Sequence, residues 1–304
     1  MFSEPDLKYS VHLLENSMTM EHKSIQSDFS FSFLPVIEKQ VFRMGIAGNY
    51  GMDSPDVEWA AEHGANYWVW GASFKKVTAG IKDVIRKNRE KNVVALLGWG
   101  FFGWQIRQSV EKALRELNTD YLDVFKLGWL GRTSIYSQGI VDSLLKLKQE
   151  GKIKAIGTSI HDRKRAGQLA LDSELDLLMI RYNAKHTGAE EDIFPHLKKR
   201  NPIVVSYTAL AWQQLINPVK GIETAPWPGN KEEAKIPPLT PELCYRFVLS
   251  NPHVHLVLTG PKNREQLMMN FRAMLQGPLN QGELTWIRQY GKLIRSKKKL
   301  DYIK

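Results

Sequence analysis

Lys126 stands inside an apolar run, Asp120-Tyr121-Leu122-Asp123-Val124-Phe125-Lys126-Leu127-Gly128-Trp129-Leu130. A lysine buried there would have its pKa lowered by desolvation and could act as an acid or form a Schiff base; the alternative is a core lysine paired with a carboxylate. His161 and Asp162 follow a second apolar run that ends Gly157-Thr158-Ser159-Ile160. Asp162 suits a helix cap, with His161 its exposed neighbour and within reach of a ligand. Lys262 and Arg264, just after Gly260-Pro261, carry the charge to neutralise a phosphate; otherwise they form a polar loop and a helix start. Lys75 and Lys76 open a helix and read as solvated. The eight histidines, His186 and His196 among them, show no metal-ligand spacing. One cysteine, Cys244, leaves no internal disulfide, cysteine-bound iron–sulfur cluster or cysteine zinc site. No metal is expected.

These groups need elements to hold them. The Lys126 run lies between amphipathic stretches at 104–117 and 134–149, so it reads as a buried parallel strand whose C-terminal end carries Gly128 and Trp129. If Gly128 faces inward, alternation puts Lys126 and Val124 on the same face. Further strands are expected at 41–49, 65–70, 92–97, 153–160, 176–183, 202–210 and 254–260. Helices are expected from Asp53 or Ser54 to His63, then at 73–90, 162–171, 189–200, 241–249, 263–275 and 281–298. Eight strand–helix units in strict alternation predict a single (β/α)8 TIM barrel over 41–304 with an extra C-terminal helix. Residues 1–40 form an extension in which Phe29-Ser30-Phe31-Ser32-Phe33 alternates as a strand or hairpin does, suited to lying over the barrel floor. The stretch 211–239, rich in Pro, Gly and Lys, is too long for an ordinary connection and is read as a functional loop.

Composition agrees with a large-cored globular chain: 304 residues, 43% hydrophobic and 24% charged. The net charge of +10 is dispersed over helices and a terminus, which argues against a nucleic-acid partner and suits a phosphate-bearing cofactor. No apolar run reaches a membrane-spanning length, and no leader pattern is seen. The cytoplasm is the expected compartment.

From Arg43 to Ala273 the chain resembles the aldo-keto reductases. The markers are Met44-Gly45-Ile46-Ala47-Gly48, Gly64-Ala65-Asn66-Tyr67, Ser109-Val110-Glu111-Lys112-Ala113-Leu114 with Asp120-Tyr121, and Gly151 to Ser159. They continue with Arg181-Tyr182-Asn183, Gly188-Ala189-Glu190, Tyr207 to Leu210, Thr259 to Asn263, and Gln266 with Asn270. The arginine-tyrosine-asparagine piece with its downstream glycine-alanine-glutamate resembles a bacterial branch. The resemblance implies a barrel in which NADP(H) supplies hydride to a carbonyl and a tyrosine, tuned by a lysine–aspartate pair with a histidine nearby, protonates the alkoxide.

Those four positions fall here on Val69 for the aspartate, Phe74 for the tyrosine, Gly98 for the lysine and Gly128 for the histidine. The cofactor side keeps more. The resemblance assigns Ser159, Asn183, Tyr207, Thr208, Leu210, Gly260, Pro261, Lys262, Arg264, Gln266 and Asn270 to the nicotinamide, pyrophosphate and 2′-phosphate, with Ile160 and Met179 standing where the family has amides. Tyr50, Phe74, Trp99, Phe101, Trp104 and Trp129 make the expected mouth aromatic and fit a small apolar or aromatic ligand, while Trp68 and Trp70 point outward. The expected function is an aldo-keto-reductase-like, NADP(H)-dependent oxidoreductase with its tetrad replaced, either impaired or a cofactor-binding pseudoenzyme. The alternatives are a carbonyl reductase whose proton donor is Lys126 or water, and a non-catalytic interaction protein without cofactor.

Overall fold

The structure is a computed structural model that describes residues 29–131, 136–219, 222 and 239–301. An antiparallel hairpin, β1 (Phe31–Leu34) and β2 (Lys39–Phe42), comes first. Then follow β3 (Met44–Ala47), α1 (Ser54–Glu62), β4 (Tyr67–Trp70), α2 (Lys75–Lys87), β5 (Val93–Gly98), α3 (Gly103–Leu117), β6 (Leu122–Leu130), α4 (Gln138–Gln149), β7 (Ile153–Ile160), α5 (Arg163–Leu171) and β8 (Leu177–Arg181). The chain continues through a short α6 (Ala189–Asp192), a 3-10 turn (Phe194–Lys199), β9 (Ile203–Tyr207), α7 (Pro241–Leu249), β10 (Leu256–Thr259), α8 (Arg264–Leu275) and α9 (Gln281–Asp301). Strands β3 to β10 close into a barrel of parallel pairs, β10 meeting β3. The (β/α)8 fold expected from the alternation is the fold observed.

The helices form because each carries an apolar stripe at helical spacing. Val77, Ile81, Val84 and Ile85 of α2 are buried, as are Ile106, Val110, Ala113 and Leu117 of α3. Starts are fixed by side chains that satisfy orphan amides. Asp53 and Asp56 make a reciprocal capping box on α1, Asp162 accepts from the Arg165 amide, and Thr240 caps α7. Gly64 after α1 and Gly151 after α4 take positive φ, which lets the chain reverse into the next strand.

Inside the barrel, Val69, Ala95, Val124, Ala155, Leu177 and Val205 pack in one cluster with Leu34, Ile37 and Val41 of the hairpin. The hairpin therefore closes the N-terminal floor. Its second strand takes Val41 and Phe42 from the strand expected at 41–49, and the first barrel strand is the shorter β3. The separator is Arg43, whose guanidinium donates to the carbonyls of Phe29, Leu249, Val254 and His255 at 2.7–3.1 Å and pins the turn between hairpin and barrel. The helix expected at 189–200 breaks into α6 and the 3-10 turn, since Pro195 has no amide to donate. Most of the proposed 211–239 loop, residues 1–28 and the start of the helix expected at 134 lie outside the described residues.

Charge is neutralised at the floor with care. Asp123, fully buried at the start of β6, accepts from Lys39 Nζ at 2.7 Å and the Val94 amide at 2.8 Å and forms an ion pair with Arg89 Nη1 at 2.8 Å. It joins hairpin, helix α2's exit and β5. Lys39 Nζ also reaches the carbonyls of Asn92 (2.7 Å) and Arg89 (3.1 Å), and Arg89 covers the Tyr121 ring. Replacing Asp123 by alanine strands two cations and is expected to cost about 3–5 kcal/mol in a urea unfolding experiment, as for other broken buried pairs. A loss under about 1 kcal/mol would place the cluster among ordinary surface ion pairs.

Candidate active site

The C-terminal mouth has two unlike halves. On the side of β4 to β6 the inward positions mix apolar residues with two buried polar ones, Lys126 and Tyr67, whose hydroxyl makes no hydrogen bond with the described residues. Val69 lies in the lumen cluster, while Trp68 and Trp70 turn outward beneath the helices and donate to Asn92 Oδ1 (2.8 Å) and Thr78 Oγ1 (3.0 Å). Phe74 sits half-buried just ahead of α2, packed against both layers. Gly98 requires a correction. A Cβ there would lie 2.7 Å from the Phe125 ring in the outer layer, so this position faces away from the lumen. Strand alternation makes Leu97 the inward residue, level with Lys126 in the register. Neither residue carries an amine. At Gly128 the room expected for a missing side chain is filled: a Cβ would lie 2.4 Å from Trp99 Nε1, and the Trp99 indole meets Trp129 edge-on at 5.2 Å. Phe101 and Trp104 remain on the exposed rim.

Lys126 lies inside the barrel and is fully buried. Its Nζ donates weakly to Met179 Sδ at 3.7 Å, and among the described residues it has no carboxylate within ion-pairing distance. Burial pulls its pKa down to about 7. Gly157 supplies the clearance: a Cβ on it would come within 3.3 Å of Lys126 Cγ.

The half built by β7 to β9 keeps polar groups. Ser159 Oγ and Thr208 Oγ1 are buried without a well-formed hydrogen bond to the described residues, although Ser159 lies near enough to the Tyr207 hydroxyl to pull against the rise in its pKa. Asn183 donates from Nδ2 to the Thr208 carbonyl at 2.7 Å. Thr208, Ala211, Trp212 and Gln213 all have φ between 49° and 66°, a left-handed run without glycine that costs energy and marks a segment held for a reason. Tyr207 Oη lies 3.0 Å from His161 Nδ1, with Arg181 opposite Tyr207 in the β8–β9 register. Burial raises the Tyr207 phenol to about 12; burial and then Arg181 hold His161 below its ordinary value. Tyr67, deeper in the lumen, is raised further by burial and by Asp123. Neither Tyr207 nor Tyr67 is tuned downward as a proton donor must be. Ile160 turns to the outer core, and Leu210 packs against it.

Around the loop after β10, several expected cofactor residues are already engaged. The Tyr50 ring lies against Gly260, where a Cβ would be 2.2 Å from it. Arg264 donates to Asp56 Oδ1 (3.2 Å) and the Pro55 carbonyl (2.9 Å), so it is not free for a phosphate as expected. Asn270 turns inward to Thr259 Oγ1 at 2.8 Å, where it braces β10 against α8. Gln266 Oε1 accepts from the Lys262 amide at 3.0 Å and shapes the loop. Lys262 itself is exposed, with no ion pair among the described residues, and follows the buried Pro261. A nicotinamide dinucleotide thus fits the β7–β9 half, where two buried hydroxyls lack a well-formed hydrogen bond, and meets one uncommitted cation near β10.

Two features escaped sequence reading. The His161–Tyr207 pair joins residues 46 apart, a partnership that neither of the sequence readings of His161, ligand contact or exposed neighbour of the cap, contains. Met179, which stands where the resemblance implies an amide, is the partner of Lys126. Alternation along β8 could have placed Met179 and Arg181 on one inward face.

The sequence model of the aldo/keto reductase family matches residues 62–228, more than half of the chain. Methylglyoxal reductase YeaE of Escherichia coli is 31% identical over 116 residues, 37% of this chain and 40% of that protein. The NADH-specific methylglyoxal reductase of the same organism is 28% identical over 34% of this chain and 33% of its own length. The chain therefore aligns with well under two thirds of these relatives. L-Galactose dehydrogenase of Arabidopsis thaliana is 24% identical over 270 residues, 78% of this chain and 76% of the relative. Among solved structures, the holo form of aldo-keto reductase AKR11C1 from Bacillus halodurans superposes with a TM-score of 0.71 at 20% identity, covering 86% of this chain and 96% of that one. A Klebsiella pneumoniae aldo-keto reductase in complex with NADPH gives 0.65 at 22%, covering 84% and 93%. At such identities the superpositions speak for the fold.

Lys126 makes a prediction of its own. Its folded-state pKa lies below the unfolded value of 10.5, so between about 7 and 10.5 the unfolded chain holds more protons and stability rises with pH. Below about 7 the burial cost is fully present. Lys126→Met is expected to stabilise the fold by about 1–4 kcal/mol at pH 6–7, less as pH approaches 10, in denaturant melts across pH. A destabilising Lys126→Met would mean that the amine has a partner.

Proposed function

Because the chain belongs to the aldo/keto reductase family, we propose that it binds NADP(H) across the β7–β9 half of the barrel mouth and has lost the family's proton relay. The observation that carries this reading is the asymmetry of the mouth. Ser159 Oγ lies beside the Tyr207 phenol and Thr208 Oγ1 stands buried without a partner on one side, while on the other Val69, Phe74, Leu97 and Gly128 carry no titratable group and only Tyr67 and Lys126, buried among them, are ionisable among the described inward residues. In this reading Ser159 and Asn183 hold the carboxamide end, Tyr207 gives the nicotinamide ring an aromatic face, and Thr208 to Leu210 meet the pyrophosphate. Gly260 and Pro261 shape the neighbouring loop, and Lys262 takes the 2′-phosphate. When bound, the nicotinamide supplies a hydride. The residues around it exclude water and orient a carbonyl against Trp99 and Trp129, but offer no lowered phenol to protonate an alkoxide. The Klebsiella relative bound to NADPH supports the choice of cofactor. Residues 29–42 serve as a floor and the rest as one barrel, in the cytoplasm.

A second reading rests on Lys126. An ammonium with a pKa of about 7 is well matched to proton donation at neutral pH, which would make the chain an active reductase with a relocated acid. Fluorescence titration with NADPH separates the readings. Both predict a saturable change, and a chain that acts without cofactor predicts none. Added carbonyls should then leave bound NADPH unoxidised in the first reading; in the second they should oxidise it, with the rate lost in Lys126→Met. Lys262→Ala is expected to weaken NADPH binding about tenfold and NADH binding little, the value of one charge-assisted contact. Equal loss for both cofactors would remove Lys262 from the 2′-phosphate.

A further inference from the structure

We propose that Lys126 is a reactive amine that captures a small aldehyde as a Schiff base, with Met179 standing between it and the barrel mouth. The proposal stands on the contrast between two buried lysines in one molecule. Lys39 is enclosed at the floor with a complete set of partners: Asp123 at 2.7 Å, the Asn92 carbonyl at 2.7 Å and the Arg89 carbonyl at 3.1 Å. Lys126, three residues beyond that same aspartate, is as fully enclosed, yet its amine faces only a thioether at 3.7 Å. A fold that neutralises one buried ammonium so thoroughly gains nothing structural from leaving the other without a counter-charge. An apolar side chain would fill the same place at less cost.

The amine is also close to the outside. Met179, whose thioether the amine meets, is partly buried with an edge open to solvent, as is Leu97, level with Lys126 across the β5–β6 register. A methionine has three freely rotating bonds and a side chain that adapts to what it meets. One rotamer change moves the thioether off Nζ and opens a path to the mouth. Beside that path lie the Trp99 and Trp129 rings, which favour an aldehyde bearing an apolar or aromatic group. The step balances without an oxidant or reductant. The neutral amine adds to the carbonyl carbon, the C=O bond is replaced by C=N, and the oxygen leaves as water. The low amine pKa leaves roughly a thousandfold more free base at neutral pH than a surface lysine has. None of this requires a bound nicotinamide, so its success or failure is separate from that of the cofactor reading.

The test uses the full chain, benzaldehyde as the probe and cyanoborohydride to fix the imine, with intact mass and peptide mapping as readouts. The expected result is a single adduct on Lys126. Its formation rate should rise through pH of about 7 and level off while surface amines are still protonated. Lys126→Met and Lys126→Arg should lose it, the arginine keeping the charge without the nucleophile, and Met179→Ala should label several-fold faster. Label spread over surface lysines, an unchanged adduct in Lys126→Met, or no adduct at any pH would overturn the proposal. Unaltered labelling in Met179→Ala would remove Met179 as the barrier.

Discussion

A charge carried into the barrel interior has no water to face, so the strands must either bring it a counter-charge or let it lose its proton. β6 shows both outcomes within four residues. At Asp123 the carboxylate collects Lys39, Arg89 and the Val94 amide, and this knot joins hairpin, helix and sheet at the floor. At Lys126 nothing comparable is present, and the amine responds by giving up its charge near neutral pH. The floor is stabilised by the first solution; the mouth inherits its chemical potential from the second.

The same constraint explains the two halves of the mouth. On the β4–β6 side the replaced positions carry no orphaned polar atoms, because Trp99 has folded over Gly128 and Gly98 points into the outer layer against Phe125. The aromatic cover on that side stays open to solvent, Trp99 at 49% and Trp129 at 54% exposure. On the β7–β9 side the hydroxyls of Ser159 and Thr208 keep their unmet hydrogen-bonding capacity, and the left-handed segment after β9 keeps its strain. Buried hydroxyls and a strained segment held at a cost beside the mouth are what a bound dinucleotide would repay.

The barrel was legible from periodicity, since eight alternations of apolar run and amphipathic stretch admit few architectures. Which way a given strand residue faces was less so. Both faces of a parallel strand are buried, and Val93 to Gly98 is apolar throughout, so nothing in its composition separates inward from outward. The motif spacing points to Gly98, while the strand turns Leu97 inward and Gly98 toward Phe125. Partners far apart in the chain were invisible for a different reason. Arg264 looks free until Asp56, 208 residues earlier, is brought beside it, and Asn270 looks available until Thr259 claims it. Lys126 was found by strand alternation alone, but its lack of a carboxylate is a property of the assembled barrel.

The account turns on a mouth that holds a nicotinamide yet has no tuned phenol beside it. A crystal structure grown with NADP+ tests this most directly. The account predicts the carboxamide within hydrogen-bonding distance of Ser159 and Asn183, the ring against Tyr207, and only apolar groups or Lys126 beneath its reactive face. A tyrosine and a lysine hydrogen-bonded to one another beside that face would contradict it.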